Sequence, residues 1–501
     1  MELELAVSQD RANAFSLSKL MKHFDFRRAA FILLGVGLFL GVYLSPPWVD
    51  AVDPQGKHFA LTREGKAAVG LFLLAGTWWV FEVLPIGVTA IAIGVVQALF
   101  LIRKPDLAFS NFMDPSVWFI FASLIIGKAF TKTGLTQRMA YNMLVMVGER
   151  TSMIYLGSFA MIALLTLVMA HTAVAATVFP LLMAIHSLYQ EDDKPSRFGK
   201  GLFIGMAYVA GASSIATLLG AARGAVAIGF FKDMAGREIS FMEFSYYLLP
   251  LGWIMVLLFW GFFMIFFKPE KKTIPGLRDR ARMLARKLGP VSRQEWLALI
   301  IVIATLLLLS LRSFFSVLAV LDRTGIILMS TLLFFVLRIL TVQDLEEIPW
   351  NIVLLFGGAM SIGFCLWQTG AASWLAVNWL ALFKNAHWFF FVLGIGFFVL
   401  VMTNFIMNVA AIAISMPIAL VIAPYLGVAP EVVLFTCLVT AGMPFVLLIG
   451  AAPNAIAYES RQFTSGEFFK YGIPASIILL LVLGLFITVI WPLMGMPILA
   501  Q

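Results

Sequence analysis

The 501-residue chain is short of cysteine and short of charge, and each shortage removes whole classes of function. Its two cysteines, Cys365 and Cys437, lie in separate apolar segments with no second thiol nearby, which excludes a disulfide framework and a thiolate metal site. They read as small buried hydrophobes. Charged residues make up 12% of the chain against 61% hydrophobic ones, a balance that excludes a soluble protein of this length. The formal charge of +8 is not a nucleic-acid footprint, because no basic face interleaved with aromatic residues accompanies it. Also lacking are an HExxH metal motif, paired aspartates and a Gly-x-Ser-x-Gly nucleophile elbow, which argues against an intramembrane enzyme using His171 as base. No small-x-small cleavage pattern follows the first apolar run, Ala29 to Ser45, so the basic residues before it are not read as the start of a signal peptide.

Apolar runs are what the chain has in abundance. Crossing the hydrocarbon layer takes roughly 20 such residues, and runs of that kind recur from near residue 29 to near residue 491. The expected fold is an all-α membrane protein with about eleven transmembrane helices. The longest polar stretch, Lys268 to Trp296, holds nine Lys or Arg, and the positive-inside rule assigns it to the cytoplasm. The N-terminus, with Arg11, Lys19, Lys22, Arg27 and Arg28, belongs on the same side, so an even number of crossings must precede residue 268. Six crossings are predicted near 29–45, 67–82, 84–102, 117–131, 201–231 and 244–267, then five near 297–313, 324–341, 352–368, 430–459 and 471–491. The uncharged tail 492–501 then lies outside. Stretches 153–189 and 388–424 are each nearly twice the length of one helix and turn at a polar residue. Parity alone does not separate a re-entrant hairpin from two spans there.

Internal repetition organises the rest. Ile126-Gly127 with Thr133-Gly134 recurs as Ile362-Gly363 with Thr369-Gly370. His171, nine residues before Pro180, recurs as Asn408, nine residues before Pro417. The string Gly220-Ala-Ala-Arg223-Gly224 recurs as Gly450-Ala-Ala-Pro453-Asn454. These landmarks stand 236, 237 and 230 positions apart, in order, across the basic loop. The reading is a lead segment 1–66, a first repeat 67–267, the cytoplasmic loop 268–296 and a second repeat 297–501. Entered from opposite faces, the two halves follow the inverted-repeat plan of secondary transporters.

Such transporters bind substrate near the midplane, where interrupted helices expose backbone groups that lipid forbids elsewhere. Four breaks qualify: Ala170-His171-Thr172 with Met407-Asn408-Val409, and Ala221 to Gly224 with Ala451 to Asn454. A hairpin tip presents free N–H groups and the helix dipole to an anion, and two facing tips suit two carboxylates. The substrate-binding candidates are His171, Thr172, Arg223, Thr403, Asn404, Asn408, Pro453 and Asn454. Each has a plainer reading: His171, Asn404 and Asn408 as interhelical hydrogen-bonding residues, and Arg223 as a helix-end residue reaching the interface. A mid-membrane arginine costs about 2.5–3.5 kcal/mol or more, which favours a cavity-facing role for Arg223. Lys128, Arg312 and Arg338, nearer segment ends, read as snorkelling residues or loop anchors. Glu82, before Pro85, reads as a cap for a short turn.

At these residues the chain resembles the divalent anion/sodium symporter family, carriers of dicarboxylates, citrate and, in some members, sulfate. The resemblance runs from about residue 67 onward. It rests on Trp79-x-x-Glu82-x-x-Pro85-x-x-Val88-Thr89, on Gly205-x-Ala-Tyr208 leading to Ile215-Ala-Thr-Leu-Leu-Gly220, and on Ala452-Pro453-Asn454-Ala-Ile-Ala457 followed by Phe463-Thr464. It implies re-entrant hairpins at 153–189 and 388–424, a homodimer with a static scaffold, and an elevator-like movement of the substrate-bearing part in a cell membrane. Family tips carry Ser-Asn-Thr and family breaks carry Thr-Pro-Pro-Asn; here only Thr172, Asn408, Pro453 and Asn454 keep those patterns. The expectation is therefore a carrier of small di- or tricarboxylate-like anions without a cofactor, working by sodium-independent exchange or proton coupling. The alternative is a sodium-coupled dicarboxylate or sulfate symporter of the same fold, with any retained sodium site near Asn408 and Ala451.

Overall fold

The structure, a computed structural model, describes residues 26–499 except 53–55, 82, 191–193, 222, 384–386 and 406–407. Glu82, Met407 and the basic residues Arg11, Lys19 and Lys22 lie outside the described residues. After α1 (Phe26–Leu44) come α2 (Arg63–Val80), α3 (Ile86–Leu99), α4 (Pro115–Thr133), α5 (Leu135–Val147), α6 (Thr151–Thr166), α7 (His171–Tyr189), α8 (Arg197–Ser213), α9 (Arg223–Ala235) and α10 (Phe241–Phe266). The basic loop carries α11 (Leu277–Lys287). The chain continues through α12 (Arg293–Leu311), α13 (Arg323–Val336), α14 (Trp350–Gln368), α15 (Ala371–Phe383), α16 (Trp388–Phe405), α17 (Asn408–Ile422), α18 (Pro430–Ala441), α19 (Ala452–Tyr458) and α20 (Ser465–Leu485).

The protein is a multi-pass membrane protein: among the described residues, nine helices are long and apolar enough to cross a bilayer. Six coincide with predicted crossings, and three, His171–Tyr189, Trp388–Phe405 and Asn408–Leu426, are hairpin arms. The stretches predicted at 84–102 and 324–341 hold the shorter α3 and α13, while those at 201–231 and 430–459 are each interrupted near the middle. From α4 and from α14 the same succession runs twice: a 19-residue helix, a 13-residue helix, a two-armed hairpin, a broken helix and a closing long helix. Helices α5, α11 and α15 have no counterpart in the predicted crossings: α11 is strongly basic, and α5 and α15, at 13 residues, are too short to span.

Local chemistry fixes the ends of these elements. Ser196, Ser240, Ser292 and Thr464 cap α8, α10, α12 and α20 by accepting from the backbone N–H three residues on, and Ser292–Glu295 and Thr464–Glu467 close full capping boxes. The Thr-Gly landmarks mark the turns out of α4 and α14, where Gly134 and Gly370 take φ of 83° and 74°, the left-handed region that favours glycine. Polar contacts join the elements in two groups. In one, Arg138 pairs with Glu295 at 2.7 Å, Lys200 with Glu467, and Arg150 forms a backbone bridge with Thr273. In the other, Arg237 pairs with Glu431 at 2.5 Å, Arg312 with Glu238 at 3.1 Å, and Val428 bridges to Leu499.

The halves interlock at the centre. Helix α9, which leaves the first break, packs on α17 of the second hairpin, and α19, which leaves the second break, packs on α7 and α8.

Candidate functional site

Each hairpin tip is tied by hydrogen bonds to the break that follows it. In the first half the His171 N–H donates to the Gly220 carbonyl at 2.9 Å, and its ring Nδ1 lies 3.2 Å from the same oxygen. A carbonyl only accepts, so the contact places a proton on Nδ1. Thr217 Oγ1 donates to Leu167 O at 2.9 Å, and Thr166 Oγ1 lies 2.9 Å from Ser213 Oγ. In the second half Thr403 Oγ1 donates to Ala441 O at 2.8 Å. With its amide nitrogen turned toward the acceptors around it, Asn408 donates to Gly450 O at 3.0 Å and to Thr403 Oγ1 at 2.9 Å. His171 on Gly220 and Asn408 on Gly450 are thus the same tie made by different side chains.

Between the tips lies a cavity of about 330 Å³. Its wall includes Ala170, His171 and Thr172 from the first tip, Asn408 and Val409 from the second, Ala221 and Arg223 from the first break, and Gly450, Ala451 and Ala452 from the second. Helices α7, α9 and α17 begin at this wall, with His171, Arg223 and Asn408 as their first residues. Their leading N–H groups have no intrahelical acceptor and favour negative charge. Arg223 is 2% exposed; its Nη2 donates to Ser214 Oγ at 2.8 Å, and its buried Nη1 has no hydrogen-bond partner among the described residues. A buried guanidinium with spare donors beside three helix starts is an arrangement able to hold an anion.

Four candidates stand behind the wall rather than on it. Thr403 orients Asn408. Asn404 Oδ1 accepts from the Val446 and Leu447 N–H groups at 2.9 and 3.1 Å, and Asn454 Nδ2 donates to Pro444 O and Leu447 O at 2.8 and 3.1 Å. These two asparagines supply partners to the irregular backbone of residues 442–451, as a break at membrane depth requires. Pro453 sits in the first turn of α19 and likewise does not line the cavity.

Sequence reasoning missed one side of the cavity, the stripe Ile120, Ser123, Leu124, Gly127, Lys128 and Thr131 on α4. Its three- and four-residue spacing puts Ser, Gly, Lys and Thr on one face of an otherwise apolar helix, and that was the available signal. Lys128, expected as a snorkelling residue or a loop anchor, lines the cavity and is hydrogen-bonded to Glu347, another lining residue in the segment before α14. Beside them Lys132 pairs with Asp344. Burial works to raise the pKa of the Asp344 carboxyl, but hydrogen bonds from Lys132 and Thr341 hold it below the usual carboxylate range. Arg312 is a loop anchor, donating to Leu321 O at 2.6 Å.

A family model for the transmembrane region of sodium:sulfate symporters matches residues 54–497. The chain belongs to this family. Sodium:sulfate symporter relatives include the sodium-dependent dicarboxylate transporter SdcS of Staphylococcus saprophyticus, 24% identical over 478 residues, covering 91% of each chain. The protein of the same name from Staphylococcus aureus is 25% identical over 502 residues, covering 95% of this chain and 94% of its own. Two solved structures share the fold. MtrF of Neisseria gonorrhoeae, described as illuminating a class of antimetabolite efflux pumps, superposes with a TM-score of 0.57 at 12% identity, over 92% of this chain and 93% of its own. The YdaH transporter of Alcanivorax borkumensis, described as having an unusual topology, gives 0.55 at 14% identity over 94% and 98%. The chain is therefore a transporter and not an enzyme.

Proposed function

We propose that this sodium:sulfate symporter family member is a secondary transporter of small dicarboxylates. The observation that carries the reading is the convergence of both hairpin tips and both helix breaks, with Arg223, on one cavity. Two facing tips suit a ligand with an anionic group at each end, and the relatives named above carry dicarboxylate in their names. The two successions of helices fit inverted repeats. Every ion pair and bridge noted above joins residues that the six-plus-five topology puts on one face, which supports that topology. Lys128 and Glu347 then stand on the cytoplasmic side of the cavity, as in an inward-facing state. An elevator movement within a homodimer belongs to the same reading.

For coupling, the relatives' names favour sodium over the sodium-independent exchange expected from the sequence. The second half has oxygens that suit a sodium ion once the Asn408 amide turns its Oδ1 toward them: Thr403 Oγ1, Ala441 O and Gly450 O all lie within 3.2 Å of that amide. The first half does not, since the imidazole at His171 has no oxygen to offer a cation and Arg223 brings a fixed positive charge. Sodium acting through the second half alone, with Arg223 standing in for a cation in the first, is the coupling scheme we favour.

The test is counterflow of labelled succinate in proteoliposomes, over a panel of di- and tricarboxylates and sulfate, with and without a sodium gradient. Uptake of C4 dicarboxylates that sodium accelerates is the expected result. Uptake confined to sulfate refutes the substrate assignment, and uptake indifferent to sodium refutes the coupling scheme.

A further inference from the structure

The cavity wall holds three charged side chains: Arg223 from the first break, and Lys128 with Glu347, its ion-pair partner. Lys128 is the residue after Gly127, where α4 packs against the first hairpin. A Cβ placed on Gly127 would be 3.5 Å from the Ala173 Cβ and 3.6 Å from the Met169 side chain. The Lys128 side chain thus leaves α4 beside a residue packed on the first hairpin, and it lines the same cavity as the tips. Glu347 is its partner, Asp344 lies 4.0 Å from it, and Asp344 is itself bound to Lys132.

Charge balance at this wall is informative. One carboxylate against two cations leaves a net positive charge, and a dianion arriving with Glu347 still in place would reverse it. If Glu347 swings outward, Arg223 and Lys128 face the two carboxylates of the ligand, one each. Replacing Glu347 costs little, because Lys128 and Glu347 side chains are 28% and 51% exposed, and a pair that wet is weakly held.

We propose that Lys128 is a substrate-binding residue and that Glu347 is its internal competitor, occupying the subsite of the second carboxylate until substrate displaces it. This rests on the dicarboxylate reading above and adds a determinant of selectivity: ligands with one carboxylate have no group to exchange for Glu347.

Binding of succinate and of butyrate to the purified full-length protein, followed by intrinsic tryptophan fluorescence, tests the exchange. Glu347→Gln should tighten succinate binding by about threefold or more, while Lys128→Gln should weaken it by a similar factor. Lys128→Arg should stay close to the wild type, and none of the three should alter butyrate binding. Size-exclusion profiles and melting temperatures near those of the wild type establish that each variant is folded. A simple structural clasp predicts that Glu347→Gln and Lys128→Gln move succinate affinity in the same direction, and that result, or no change in either, overturns the proposal. A wild type that binds sulfate but no dicarboxylate overturns the substrate reading as well.

Discussion

The backbone of Gly220 passes so close to Thr166 that a Cβ on it would stand 2.5 Å from the Thr166 carbonyl oxygen, and Gly450 repeats the relationship with Thr403 at 2.9 Å. In each half, the break and the arm that leads to the tip touch backbone to backbone, and only glycine allows it. Alanine at either position should force the pair apart, costing about 1–3 kcal/mol of local packing. Gly220→Ala and Gly450→Ala are expected to lose most transport, with a lowered melting temperature. Full uptake by either variant would show that the tie is dispensable.

Arg223 gives the sharpest mutational expectation. Arg223→Gln removes a charge-assisted contact from a buried site and should weaken dicarboxylate binding by about tenfold or more. Equilibrium binding measures this directly. A helix-end anchor without contact to substrate predicts an intact dissociation constant.

Thr172 and Asn408 reach the cavity from opposite tips, so each should contribute a hydrogen bond of about 1.5–3 kcal/mol to a charged acceptor. Thr172→Val and Asn408→Ala should raise the KM for uptake by about tenfold. Asn408→Ala should also blunt the response to sodium, since it disturbs Thr403, Ala441 O and Gly450 O, whereas Thr172→Val should not. Equal loss of sodium response in both would argue against a site confined to the second half.

Acid should act through Glu270, in the loop after α10. Burial works to raise its pKa, but hydrogen bonds from the Arg197 and Phe198 N–H groups, at 2.5 and 3.3 Å, and from the Tyr189 hydroxyl at 2.8 Å, hold it below the usual value. A depressed folded-state pKa contributes stability that is complete above the unfolded value of about 4.3 and is lost as pH falls through the folded one. Melting temperature should therefore drop between pH 5 and pH 3 more steeply in the wild type than in Glu270→Gln. Parallel curves would remove Glu270 from the explanation.

Much of the site was legible in the sequence because its cause is local. A histidine, an asparagine or an arginine inside an apolar run stands out, and the Thr-Gly and Gly-Ala-Ala landmarks mark turns whose geometry only certain residues accept. What stayed hidden depends on which segments meet. Thr166, 237 positions before Thr403, is an ordinary residue until its contact with Ser213 is seen, and Lys128 looks like an interface anchor until Glu347, 219 residues away, closes on it. Helices α5 and α15 were invisible for another reason: they are too short to register as spans.

The crossing-over of α9 onto α17 and of α19 onto α7 bears on how the chain is made as well as on how it works. A ribosome that has finished the first half has delivered a hairpin, a break and a charged arginine, yet none of the surfaces that complete them. Until the residues beyond 452 enter the membrane, α7 and α8 lack their partner, and Arg223 waits inside the bilayer without the second wall of its site. The first half must be held by the insertion machinery or by lipid during that interval, so a chain cut at the basic loop should be degraded rather than accumulate as a half-transporter.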